Sequence, residues 1–187
     1  MRNLVYSINL SVDGCCDHTI LGPEGITDEV GEYYMDLMQD IDLTVFGRKT
    51  YELMVPYWPD MAKDPSAEKS DKEFAQKFTA MDKIVFSRSL AHAEANTRIV
   101  RSDPGDEILR LKKEKGKKIS VGGVDLAEQL IALGLVDEFY FIVFPIIVGQ
   151  GRRLLEGTSL PAKLNLKLVG SKTFRSGGMA HHYLKQS

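Results

Sequence analysis

Apolar and polar positions alternate from Leu4 to Leu10. Leu4, Tyr6, Ile8 and Leu10 stand against Val5, Ser7 and Asn9, the period-two pattern of a strand. The pattern then breaks over Ser11 to Gly25, a stretch rich in glycine that predicts a loop. Thr27 is placed to cap a helix, with Asp28 and Glu29 in its first turn, and helical spacing continues to about Gln39. Leu43 to Phe46 predicts a short buried strand, and Arg48 opens a second helix. Prolines at 56, 59 and 65 predict a loop from Val55 to Ser70. Beyond it, Asp71 to Thr79 predicts a helix, and Lys83 to Phe86 and Arg98 to Arg101 predict strands. Pro104 takes the first position of a further helix. Lys118 to Val121 predicts a strand, and Asp125 to Leu133 a helix ended by Gly134. Val136 to Phe144 is an almost unbroken apolar run, expected of a strand covered on both faces. Leu164 to Phe174 and Met179 to Lys185 flank Ser176-Gly177-Gly178, a hairpin signal. Strands alternating with helices and ending in a hairpin predict an α/β fold with a mostly parallel sheet and an antiparallel end.

Two of these junctions share one design. Val45-Phe46-Gly47-Arg48-Lys49-Thr50-Tyr51 and Ile119-Ser120-Val121-Gly122-Gly123-Val124-Asp125-Leu126 each run from apolar strand through glycine into a helix start. A helix N-terminus offers unpaired N–H groups and a positive dipole end to an anion, and glycine lets a ligand approach the backbone. Two such ends suit the two halves of one dinucleotide. A third strand ends at Ser87-Arg88, at the kind of edge where open α/β sheets bind ligands. Arg48 and Arg88 carry permanent charge on forked donors that suit a phosphate monoester. No acidic residue stands at Ser87-Arg88 to take a ribose hydroxyl, which favours a 2′-phosphorylated cofactor.

The bulk numbers narrow the classes. A length of 187 residues, 43% hydrophobic and 27% charged, fits one globular domain over 1–187. A net charge of −2 gives no global attraction to nucleic acid or membrane. The N-terminus runs straight into a strand pattern rather than a signal peptide, no apolar stretch is long enough to span a bilayer, and a cytoplasmic location is expected. The adjacent Cys15 and Cys16 make a poor structural disulfide and an unsuitable metal site, so no metal is expected. The basic stretch Arg110 to Lys118 is expected to be a solvated helix end.

Taken in order, these motifs resemble the dihydrofolate reductase-like superfamily, and within it the branch of the riboflavin-biosynthesis pyrimidine reductase domain. The resemblance rests on Ser11-Val12-Asp13-Gly14, Phe46 to Glu52, Val85-Phe86-Ser87-Arg88, Val121-Gly122-Gly123 with Glu128-Gln129, Asp137-Glu138-Phe139 and Pro145 to Gly151. It implies a three-layer fold, helices on both faces of the sheet, and an NADPH-dependent oxidoreductase related to 5-amino-6-(5-phosphoribosylamino)uracil reductase. By the same resemblance, Gly47, Arg48, Lys49 and Thr50 hold cofactor phosphates and Ser87 and Arg88 take the 2′-phosphate. Gly122 and Gly123 approach the pyrophosphate and nicotinamide, with Val124, Asp125 and Leu126 opening the helix beneath. The loop Val12 to Gly22 covers the nicotinamide. Together with the apolar run Phe139 to Val148, the resemblance also implies a homodimer.

The substrate side departs from the folate enzymes. Their early carboxylate maps, without gaps, to Gly31, with Asp28, Glu29 and Glu32 nearby. Their supporting threonine is replaced by Ile142, and an aromatic residue near the nicotinamide by Ala127. Folate is therefore disfavoured, and a small aminopyrimidine- or pterin-like heterocycle is expected. Asp13 is the candidate acid and substrate contact, or else a turn residue before glycine. Asn9, a polar residue in an apolar strand, either meets the nicotinamide carboxamide and substrate or bonds to a neighbouring loop. Tyr57 and Trp58 either wall the substrate pocket or anchor a packed loop. Arg152 and Arg153 are expected to face water. No His-x-Glu and Cys-x-x-Cys pair of a zinc deaminase is present, which points to a free-standing reductase. The alternatives are a dihydrofolate reductase and a non-catalytic NADPH-binding protein.

Overall fold

The computed structural model describes residues 1–22, 26–94 and 96–186. Pro23 to Gly25, the end of the loop expected after the first strand, lie outside the described residues. The elements run β1 (Leu4–Ser11), α1 (His18–Leu21), α2 (Asp28–Gln39), β2 (Ile41–Gly47), α3 (Arg48–Met61), α4 (Lys69–Ala80) and β3 (Asp82–Phe86). They continue with β4 (Thr97–Val100), α5 (Pro104–Lys112), β5 (Lys118–Gly122), α6 (Val124–Ala132), β6 (Glu138–Phe144), β7 (Leu166–Thr173) and β8 (Met179–Lys185). The strands form one sheet in the order β4-β3-β2-β5-β1-β6-β8-β7. The first six are mutually parallel, and β8 and β7 close the sheet antiparallel.

Alternation along β1 divides the core as expected of a strand with both faces covered. Leu4 and Tyr6 join Ile108 and Leu111 of α5 and Leu126, Leu130 and Ile131 of α6 on one face. Val5 joins Val30 of α2, Ile142, Phe144 and Phe174 on the other. A third cluster, with Phe46, Tyr51, Val55, Phe78 and Val85, packs α3 and α4 against β2 and β3.

The segment from Val55 to Ser70, expected as a loop, is helical to Met61 despite Pro56 and Pro59. Each proline removes one intrahelical hydrogen bond, at a cost of roughly 3 kcal/mol. Tertiary packing offsets it. Tyr51, Val55 and Trp58 recur at helical spacing on the buried side, and the Trp58 ring lies 4.4 Å from Phe74 and 6.2 Å from Phe78 of α4. Within the expected loop after β1, Asp17 caps the short α1 by accepting the Thr19 N–H. Thr27 stands at the N-cap of α2 but makes no side-chain cap bond, and its hydroxyl is buried without a partner.

The basic stretch around the end of α5 is not simply solvated. Lys112 is buried and bonds the Asp137 carboxylate at 2.5 Å and the Leu135 carbonyl at 2.9 Å. Lys118 bonds Glu138 at 3.0 Å. Buried Glu138 also accepts from Asn3, Tyr140 and His182, and so ties β1, β5, β6 and β8 together. The Asp137-Glu138 pair is thus a brace at the N-terminal edge of the sheet. Much of the run Phe139 to Val148 lies in β6, paired on both sides and buried inside this chain, while Ile147 beyond it is 75% exposed.

Candidate active site

Sheet order brings the three expected cofactor segments side by side. Gly47 at the end of β2 pairs with Phe86 at the end of β3, and Phe46 pairs with Gly122 at the end of β5. Ser87-Arg88, the Gly47–Thr50 turn and the Gly122-Gly123 turn therefore stand at adjacent positions along the C-terminal edge. β1 follows β5 in the sheet, so the loop from Ser11 to Cys16 closes the same edge on the other side.

The two glycine turns touch. Gly123 has φ +89°, where a side chain would be strained, and a Cβ there would collide with the Thr50 hydroxyl. A Cβ on Gly122 would run into the Phe46 ring. Gly123 is the N-cap of α6 and Gly47 the N-cap of α3, and neither helix has a side-chain cap. Their first N–H groups, including those of Arg48, Lys49, Val124 and Asp125, therefore remain for an anionic ligand.

The cations differ in readiness. Arg48 is held across one helical turn by Glu52, at 2.8 and 3.2 Å. Arg88 is exposed and makes no ion pair or side-chain hydrogen bond among the described residues. The Ser87 hydroxyl accepts the Leu90 N–H at 2.9 Å, and Arg101 bonds the Ser87 carbonyl at 3.2 Å, which shapes the turn that presents Arg88.

Asp13 lies on the loop after β1. Its carboxylate accepts the Ser11 hydroxyl at 2.7 Å and the N–H groups of Val148 at 3.2 Å and Gly149 at 3.0 Å, and pairs with Arg153 at 3.4 Å. The Ser11 hydroxyl, then the Val148 N–H, hold its carboxyl down at about 2. It is an ionised acceptor that staples two loops. Asn9 accepts the Tyr34 hydroxyl of α2 at 2.7 Å, on the sheet face that carries α2. Tyr57 is half exposed and meets Trp58 edge-on, while Trp58 itself is taken up by α4.

Gly31, near the start of α2, offers no side chain, and a Cβ there would meet Ser70 at the start of α4. Glu29 is engaged by the Arg175 N–H at 2.7 Å, and Asp28 and Glu32 are exposed. Ile142 and Ala127 are fully buried in apolar clusters. Cys15 and Cys16 are free and buried. Burial pushes the Cys16 thiol up to about 11, so it stays protonated and inert near neutral pH. Among the described residues no cluster of three metal-ligating side chains occurs, and no helix is long and apolar enough to cross a membrane.

Arg152 and Arg153, expected in water, are committed instead. Arg152 bridges Asp125 and Glu128, and Arg153 binds Asp13. Glu128, which with Gln129 carries part of the resemblance but had no expected role, and Tyr34 also bear on the site. Each is a polar group at a buried or partly buried helical position whose partner is brought to it only by the fold.

Comparison with known proteins bears on the family and the fold. Residues 2–179 match the model of the RibD C-terminal domain. The chain is 31% identical over 183 residues to the uncharacterized protein YyaP of Bacillus subtilis (strain 168), covering 94% of this chain and 91% of that one. A pyrimidine reductase-like protein from Corynebacterium diphtheriae superposes with TM-score 0.70 at 17% identity, over 100% of this chain and 92% of that one. Dihydrofolate reductase from Enterococcus faecalis, complexed with NADP(H), superposes with TM-score 0.60 at 16% identity, over 99% and 97%. The fold is therefore dihydrofolate reductase-like.

Proposed function

Because the chain belongs to the RibD C-terminal domain family, we propose that it is an NADPH-dependent reductase acting on a small aminopyrimidine- or pterin-like heterocycle. The observation that carries this is the juxtaposition of Ser87-Arg88, the Gly47–Thr50 turn and the Gly122-Gly123 turn on three neighbouring strand ends. The residues suit the cofactor. Two uncapped helix starts lie against each other where added Cβ atoms would collide, and exposed Arg88, unpaired among the described residues, suits a 2′-phosphate. NADPH, when bound, supplies a hydride from its nicotinamide ring.

The chain's own part is to bind, orient and exclude water. Arg48, Lys49 and Thr50 and the backbone of Val124 to Leu126 hold the phosphates. Asn9, oriented by Tyr34, offers its amide to the nicotinamide carboxamide or the substrate. Asp13 holds the loop after β1 against Val148 and Gly149 and does not act as the acid, since its carboxylate already accepts four donors. The proton comes from solvent. Trp58 is a packing residue in this proposal and Tyr57 is left at the surface. A cytoplasmic homodimer completes the proposal.

Difference titration with NADPH and NADH tests the cofactor. Tighter binding of NADPH is expected, and Arg88→Ala should bring the two cofactors to within about threefold of each other. Equal affinity of the wild-type chain for both would sink the 2′-phosphate role of Arg88. Oxidation of NADPH by an aminopyrimidine or pterin substrate is the accompanying assay. Binding without turnover would favour a non-catalytic NADPH-binding protein.

A further inference from the structure

One cluster of charged side chains at the candidate site has no part in the mechanism above. It lies where the segment after β6 crosses the C-terminal edge of the sheet. Glu128, one turn into α6, is buried and accepts three donors: Arg152 Nη2 at 2.5 Å, the Leu155 N–H at 2.7 Å and the Thr158 hydroxyl at 3.3 Å. The other arm of the Arg152 guanidinium binds Asp125, in the first turn of the same helix. The Arg152 carbonyl accepts the Cys16 N–H at 2.8 Å, and Arg153 bonds the Asp13 carbonyl at 3.1 Å. One arginine thus joins the helix behind the second glycine turn, the crossing segment and the loop after β1.

Asp125 gives this junction a purpose. A carboxylate in the first turn of a helix is drawn to the same free N–H groups that attract phosphate, and its charge repels an incoming anion. Its side chain is 60% exposed, and among the described residues Arg152 is its one side-chain partner. An exposed ion pair is ordinarily weak, because two long side chains must be ordered to make it. Here Arg152 is already fixed by buried Glu128, so little further ordering is needed. Resting on the proposed cofactor site, we propose that Arg152 is a positioning residue for NADPH. It neutralises Asp125 and holds that carboxylate away from the phosphate-facing turn, while it fixes the loop after β1 over the same edge.

The test is NADPH titration of the full chain as wild type, Arg152→Gln, Asp125→Asn and the double variant, each with a thermal unfolding curve. Arg152→Gln should weaken NADPH binding about tenfold, and Asp125→Asn alone should tighten it about twofold. The double variant should return to within about threefold of wild type. Both Arg152→Gln proteins should show the same lowered melting temperature, because buried Glu128 loses its charged partner in each. Recovery of binding without recovery of stability is the signature of positioning. Should Arg152→Gln fail to fold, Arg152→Lys keeps a charge beside Glu128 but cannot fork, and its loss of affinity should likewise be rescued by Asp125→Asn. A double variant as weak as the single overturns the role of Arg152 alone. A wild-type chain that binds no NADPH overturns both this role and the function it rests on.

Discussion

At the scale of single residues, the candidate site is set by which charges are already spent. Arg48 shares its guanidinium with Glu52, so a cofactor phosphate must compete with that carboxylate. Glu52→Gln should release Arg48 and tighten NADPH binding about twofold, the effect expected of an exposed pair one helical turn apart, measured by fluorescence titration. Asp13 shows the limit of reading a residue type. A carboxylate beside a glycine after the first strand was legible as chemically interesting, and its motif was correctly grouped with the rest of the family's. Its task was not legible, because its donors include Val148, Gly149 and Arg153, far along the chain and brought near only by the fold. Glu107 makes a similar point away from the site. It accepts from Arg110 at 2.7 Å and from Arg98 at 2.5 Å, and the Arg110 hydrogen bond leads in drawing its carboxyl down to about 2 from the usual 4.5. A depressed carboxylate stabilises the fold above its unfolded pKa and loses that contribution as pH falls through the folded one. Stability should therefore decline from about pH 4.5 to about pH 2, and Glu107→Gln should flatten that part of the acid unfolding curve.

At the scale of elements, strands and most helices were readable because their periods are local properties of the chain. The failure at Val55 to Ser70 has the opposite cause. Proline is a strong local signal against helix, but Tyr51, Val55 and Trp58 form a stripe whose value depends on Phe74 and Phe78 of another helix. Trp58→Ala should accordingly destabilise the protein by about 2–3 kcal/mol, somewhat below the cost for a fully buried tryptophan, with little change in substrate KM. Denaturant unfolding and steady-state kinetics distinguish this from a pocket wall, which would raise KM at unchanged stability. The glycine turns behave as one unit for a related reason. Gly122→Ala would press a methyl group into the Phe46 ring, and Gly123→Ala would add backbone strain and a clash with Thr50. Loss of NADPH binding is expected for both, with the larger loss of stability at Gly123, where φ is positive.

At the scale of the whole molecule, the order β4-β3-β2-β5-β1-β6-β8-β7 places the first strand of the chain near the middle of the sheet. Its neighbours are β5, which begins at Lys118, and β6, which begins at Glu138. During synthesis β1 is made before either of its neighbours in the sheet. β2, β3 and β4 can pair with one another soon after they emerge, and β5 can add to β2, but the slot for β1 is complete only when β6 arrives. Contacts so distant along the chain carry a loop-closure cost that slows folding. The loop from Asp13 to Cys16 is carried by β1 and stapled by residues 148–153, so it can be set only after β6 and the segment beyond it are in place. Competence to bind cofactor should consequently lag behind the recovery of helical signal in a refolding experiment. Stopped-flow circular dichroism and NADPH fluorescence, followed side by side, would show whether the site is the final part of this protein to come into being.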